Sequence, residues 1–219
     1  MGERFVADTD HTTGETTNTT SSTLAEPIRV SQFVPKTEEE LRASQVGELV
    51  PLNGQIVLAD YDPEWPRLFE REAAQVRMAL GERVLVLEHA GATSVPGLAA
   101  KPRIDMVLVI ADSADEPAYV PDLEAAGYVL RIREPEWYEH RMFNRPERAV
   151  NLHVFTAGCP EIGRMLLFRD WLRSHPDDRV LYERTKRELV RQEWKYTQNY
   201  ADAKTAVVEE ILARARGEA

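Results

Sequence analysis

Cysteine is almost absent from this chain: Cys159 stands alone among 219 residues. That excludes a disulfide within the chain and suits a reducing compartment. Long apolar runs are missing as well, and no stretch approaches the ~20 residues that a bilayer-crossing helix requires. The N-terminus lacks the charged-then-apolar pattern of a secretory signal, so a cytoplasmic location is the default expectation. Positive charge is in short supply. Lys and Arg number 27 against 37 Asp and Glu, for a formal charge of −10. Such a balance opposes nonspecific attraction to nucleic-acid backbone, though it leaves room for a local basic pocket. No internal repeat is visible, and no P-loop.

What is present is ordinary globular material. Hydrophobic residues make up 43% of the chain, enough for one good core. Residues 1–30 are the exception: Thr12 to Thr23 is nearly all Thr, Ser, Asn, Gly and Glu, and reads as a disordered tail. One domain is expected over residues 31–216, with a core at about 54–156 and a helical part at about 157–216.

In order, the spacing predicts a short helix over 37–48 opened by Thr37, and a strand at Ile56-Val57-Leu58. A helix follows from Asp62-Pro63 to Gly81, with Trp65 and Phe69 one turn apart to pack it on a sheet. Strands are expected at Val84–Leu87 and Ile104–Ile110, a helix at Val120–Ala126, and strands at Tyr128–Ile132 and Ala149–Phe155. Trp137 to Asn144 reads as strand or loop. Helices are expected near 160–174, 177–193 and 196–216, the first two parted by His175-Pro176.

The stretch from Glu88 to Asp105 organises the rest. Between two apolar strands lies a loop of small residues holding Gly91, Thr93, Ser94, Gly97 and Lys101, which ends in Asp105 at the start of a strand. Small residues let backbone approach a ligand closely, and N–H groups, hydroxyls and an ammonium suit phosphate. A carboxylate beside phosphate is a natural Mg²⁺ ligand.

His89-Ala90-Gly91-Ala92-Thr93-Ser94-Val95-Pro96-Gly97-Leu98, with Lys101-Pro102 and Ile104-Asp105, resembles the signature of the GrpB-like (UPF0157-type) family of the nucleotidyltransferase superfamily, H-I-G-S-T-S-V-P-G-L-x-x-K-P-x-I-D. Ala90 replaces the Ile and Ala92 the first Ser. The resemblance extends through Tyr61 to Trp65, His140 to Phe143, Asn151 to Phe155, Phe168 to Pro176, Tyr182 with Lys186, and Tyr200 with Lys204, over roughly residues 45–215.

That resemblance implies an α/β (α+β) fold: a nucleotidyltransferase-like mixed sheet of about five strands flanked by helices, with a C-terminal helical part. It implies an enzyme that moves a nucleoside monophosphate from an NTP to a small acceptor, with Mg²⁺ or Mn²⁺ at Asp105. Gly91, Thr93, Ser94 and Lys101 would hold phosphates. Asp105 and His153 would be catalytic, and Arg141, Arg169, Arg173, Lys186 and Lys204 would line the substrate side. The superfamily places a second acid two residues after the first, so that both share the metals. Here that position is Val107. Glu88, His89 and His153 are candidates to fill the gap. The alternative is a catalytically degenerate nucleotide- or metabolite-binding module, with a possible link to CoA metabolism.

Several of these residues carry a plainer reading. Asp105 can pair with Lys101 or Arg103, and turn hydroxyls such as Thr93 and Ser94 bond their own backbone. Arg169 and Arg173, one turn apart, form either an anion fork or ion pairs with Asp170, Asp177 and Asp178.

Overall fold

The computed structural model describes residues 36–52 and 54–218, so the expected N-terminal tail lies outside the described residues. The first helix, α1 (Glu38–Ser44), is opened by a capping box in which the Thr37 hydroxyl accepts from the Glu40 N–H and Glu40 answers the Thr37 N–H. It is shorter than the expected 37–48, because Gln45 turns away to bridge Ile132 and Val46 donates to the Arg131 carbonyl. The predicted strand at Ile56–Leu58 does not form. Ile56 packs instead on Leu189 and Tyr200, and only Ala59 touches extended backbone, exchanging two hydrogen bonds with Ala100.

Helix α2 (Glu64–Leu80) begins where expected, with the Asp62 carboxylate accepting the Glu64 N–H at 2.8 Å. Five strands follow: β1 (Val86–Ala90), β2 (Ile104–Ile110), β3 (Val129–Glu134), β4 (His140–Arg145) and β5 (Val150–Thr156), with the short helix α3 (Val120–Ala125) before β3. They form one mixed sheet in the order β1-β2-β5-β4-β3, parallel between β2 and β5 and antiparallel elsewhere. After Asp105 the apolar run of β2, Met106–Ile110, fits an interior place in the sheet, buried on both faces.

Side chains alternate across the sheet. One face carries Leu87, Met106, Leu108, Leu152, Val154 and Phe143, and α2 covers it with Trp65, Phe69, Ala73, Val76 and Leu80. That is the packing expected of Trp65 and Phe69. Glu72, buried on the same helix, ties it to the far edge by accepting from Arg145, Arg148 and the Tyr128 hydroxyl.

The opposite face is divided. Ala90, Val107, Val109 and Phe155 are apolar and take Cys159, Ile162 and Met165 from the start of α4 (Pro160–Ser174). Beside them the same face carries the polar residues Asp105, Asn151, His153, His140 and Glu134. Helices α4, α5 (Pro176–Leu189) and α7 (Thr205–Arg216) gather around Val95 and Leu98 of the signature loop, through Leu172, Tyr182, Val207 and Ile211. The helical part is therefore docked onto the loop itself. The expected 196–216 helix is two helices, since α6 (Thr197–Asp202) ends before Lys204 and α7 starts after it. α5 stops at Leu189, short of 193.

Candidate functional site

The loop between β1 and β2 leaves the sheet at Gly91, whose φ of +66° is left-handed. A Cβ there would lie 2.4 Å from Asp105 Oδ2 and 3.0 Å from Asp105 Cβ. Glycine is needed twice over at this position, for its backbone angle and for the contact. The loop rests directly on the carboxylate that the sequence singled out.

Asp105 opens β2 beside Asn151 of β5, and the parallel register puts both on the polar face. Asn151 Nδ2 donates to Asp105 Oδ1 at 2.9 Å, and Arg103 donates to Asn151 Oδ1 at 3.1 Å. Arg103 thus reaches the carboxylate only through the amide, and neither Lys101 nor Arg103 pairs with Asp105. The nearest titratable neighbour across the strands is His153, whose Nε2 lies 4.0 Å from Oδ1.

The loop hydroxyls are engaged internally. Ser94 Oγ donates to the Gly91 carbonyl at 2.6 Å. Thr93 Oγ1 donates to the Arg103 carbonyl at 3.2 Å and therefore accepts from His89 Nε2 at 3.1 Å. Both residues are buried. In this structure these hydroxyl protons shape the loop. His89 stacks on Phe69 with ring centroids 4.8 Å apart, and burial lowers its pKa to about 4. It is a neutral core residue, not a partner to fill the missing acid.

The two arginines of α4 hold the loop from its other side. Arg169 donates to the His89 carbonyl at 2.9 Å and to Glu88 and Asp170. Arg173 donates to the Ser94 carbonyl from Nε at 3.1 Å and Nη2 at 2.9 Å. They clamp backbone and are not an open anion fork. Arg141 lies apart from these residues. It lies on β4 one residue from Met142, which pairs with His153, so it points to the opposite face. It is buried there against Glu116 at 2.6 Å and Glu139 at 3.2 Å, away from any acceptor beside Asp105.

The lysines do converge. Lys186 is buried and donates to the Ala99 carbonyl, with its ammonium 4.8 Å from the Tyr182 ring centre. Lys204, between α6 and α7, repeats that geometry over Tyr200 at 4.8 Å. Burial lowers Lys186 to about 7, and Lys204 adds to the effect; burial lowers Lys204 to about 8, with Asp105 opposing and Lys101 assisting. Lys101 is lowered by burial and by Arg103. The chain has five lysines. Lys36 and Lys195 are paired with glutamates, whereas no ion pair is made by Lys101, Lys186 or Lys204 among the described residues.

A further line of side chains joins His153 to Glu134 and His140, to which the sequence assigned no role. Glu134 Oε2 accepts from His140 Nδ1 at 2.8 Å, and His140 Nε2 faces His153 Nδ1 at 3.1 Å. Burial alone would raise Glu134, but hydrogen bonds from His140 and Lys36 outweigh it and hold the carboxyl at about 2. Burial, assisted by His140, lowers His153 to about 4. Polar groups on four strands thus join across the sheet. Only the period-two spacing of β4 could have revealed His140, and Trp137 to Asn144 had no clear period.

The resemblance implies Mg²⁺ or Mn²⁺ at Asp105. Among the described residues no group of three His, Cys, Asp or Glu is placed to hold a metal ion. Asp105 is a single carboxylate, with one oxygen already accepting from Asn151 and the other against Gly91, and Lys101 and Lys204 lie near enough to feel its charge. Mg²⁺ asks for oxygen ligands in near-octahedral array, and cationic neighbours repel it. These residues do not fit a resident metal.

Comparisons with known proteins span the residues that build this site. The sequence model described as GrpB protein matches residues 55–214. A UPF0157 protein of Halalkalibacterium halodurans is 57% identical over 185 residues, covering 84% of this chain and 95% of that one. The crystal structure of conserved protein GrpB from Enterococcus faecalis superimposes with a TM-score of 0.66 at 30% identity, covering 74% of this chain and 98% of that chain. A protein named dephospho-CoA kinase from Mycolicibacterium paratuberculosis is 32% identical over 152 residues, 58% of this chain and 37% of that one. Among the described residues no helix is long and apolar enough to cross a membrane.

Proposed function

Because the chain belongs to the GrpB family, matched over residues 55–214, we propose that a nucleotide binds where the signature loop meets helices α5 to α7. Its phosphates would meet Lys101, Lys186 and Lys204, and an acceptor hydroxyl would sit between Asp105 and His153. The reaction class is transfer of a nucleoside monophosphate from an NTP to a small acceptor, with any Mg²⁺ arriving as part of the triphosphate substrate.

One observation carries the reading. In a chain of charge −10, three of five lysines are half-buried or buried together without a carboxylate partner. Burying ammonium groups without a carboxylate partner costs free energy, as their lowered pKa values record, with burial the main cause and the neighbouring lysine a lesser one. An anion removes that cost. The relative named dephospho-CoA kinase supports a nucleotide as that anion.

Val107 in place of a second acid favours a second reading, a binding module without turnover. Calorimetric titration with ATP, CTP, GTP and UTP, followed by a pyrophosphate assay with Mg²⁺ and a metabolite pool, separates the two. Binding that weakens at least tenfold in Lys204→Ala, together with pyrophosphate release, is the expected result. Binding without release selects the module. No binding of any nucleotide overturns both.

A further inference from the structure

We propose that Glu134, His140 and His153 form a proton relay across the sheet that ends at Asp105. In this relay His140 and Glu134 act as positioning residues that make His153 Nε2 the base of the site. The assignment of a base rests on the functional reading above, whereas the relay itself follows from hydrogen-bond logic.

Glu134 sits at the outer end and its carboxylate only accepts. His140 must therefore carry its proton on Nδ1, the nitrogen 2.8 Å away. In a neutral His140, Nε2 is then a bare acceptor. The facing atom, His153 Nδ1 at 3.1 Å, must supply the hydrogen. In a neutral His153 this leaves Nε2 unprotonated, and that nitrogen is the one 4.0 Å from Asp105 Oδ1. Two acceptors at such a separation leave room for one donor group beside them, and the single proton of an alcohol placed there points to Nε2.

The same geometry accounts for where a proton goes. A hydroxyl placed beside Asp105 and His153 gives its proton to His153 Nε2. His153 passes the Nδ1 proton to His140 Nε2. His140 becomes an imidazolium while keeping its Nδ1 proton on Glu134, so the charge comes to rest as a His140–Glu134 ion pair. The reverse order returns the proton to a leaving group. A carboxylate that orients an imidazole and stabilises its charged form is the logic of a catalytic triad, here lengthened by one ring. The surroundings hold the chain in place. His140 stacks between His153, at 5.3 Å, and Phe155, at 4.8 Å, and the Trp137 ring lies edge-on at 5.1 Å. The other charges facing it are Lys36, 2.7 Å from Glu134, and Glu161 at the start of α4.

Nitrogen NMR of the full chain, labelled with ¹⁵N-histidine, reads the tautomers without substrate. At pH 7, His153 should carry its proton on Nδ1 and none on Nε2. Glu134→Gln should reverse both rings. Lys36 only donates, so it captures the amide oxygen and turns the NH₂ toward His140, which forces that proton to Nε2 and the His153 proton to Nε2 as well. His140→Phe keeps the stack on Phe155 but removes the acceptor, and should leave His153 as a mixture. A wild-type His153 protonated on Nε2, or a tautomer unmoved in both variants, overturns the relay. Failure of nucleotide binding would leave these signals unchanged, so the two proposals fall separately.

Discussion

Gly91→Ala is the sharpest test of how the loop and Asp105 are fitted together. The substitution adds one methyl in a place with two objections to it. At φ +66° a residue with a Cβ is strained by roughly 1–2 kcal/mol. The new carbon also falls 2.4 Å from Asp105 Oδ2 and 3.1 Å from its Cγ. Asp105 cannot swing away freely, because Asn151 holds Oδ1. Overpacking of this kind costs about 1–3 kcal/mol, so the sum is roughly 2–5 kcal/mol. For a chain of this size that lowers Tm by roughly 4–20 °C. Calorimetry or urea denaturation of the purified variant measures it. Two controls isolate the clash. Gly97 has φ +78° with nothing near its absent Cβ, so Gly97→Ala should show the backbone strain alone. Asp105→Ala removes the colliding oxygen and Cγ, so the double variant should be more stable than the two single changes added together, by about 1–3 kcal/mol. A Gly91→Ala protein within 0.5 kcal/mol of wild type, or a double variant that is simply additive, would refute the contact.

Two further outcomes are expected. Glu72→Ala leaves Arg145, Arg148 and the Tyr128 hydroxyl without their shared acceptor, one of them well inside the core, and should destabilise by about 3–5 kcal/mol in chemical denaturation. The acid limb of stability should begin early. His89 and His153 have folded pKa values near 4 against 6.5 in the unfolded chain, so the unfolded state binds more protons between those limits. Their stabilising share is complete above pH 6.5 and is lost as pH falls toward 4, on the order of 3 kcal/mol for each ring. Stability measured at pH 7 and pH 4.5 should differ in that direction, and more weakly in His89→Phe. A flat profile between those pH values would mean that neither ring is buried as described.

The order of elements, the interior apolar strand β2, the loop that ends at Asp105 and the packing of Trp65 and Phe69 were all legible in the residues, because each is a local matter of period, caps and small side chains. The apolar triplet Ile56-Val57-Leu58 shows the limit of such reading. Its composition is strand-like, yet no neighbour offers it a ladder, and Ile56 is claimed by α5 and α6. The roles of polar groups were less legible still. Arg141 and His153 look equally available on paper, but alternation along β4 sends Arg141 to Glu116 on one face, while β5 presents His153 on the other. Thr93, Ser94, Arg169 and Arg173 are loop and helix residues suited to phosphate, and the fold uses their hydrogen bonds to fix backbone.

By itself the sequence determined the family, the mixed α/β fold and the carboxylate at the head of β2. Only the tertiary structure decided which charges meet: three lysines from distant segments gathered without an acid, and a glutamate and two histidines on adjacent strands in one hydrogen-bonded line. The physical reason is that a side chain's direction follows from local period, whereas its partner depends on register and on helix docking, which no single segment encodes.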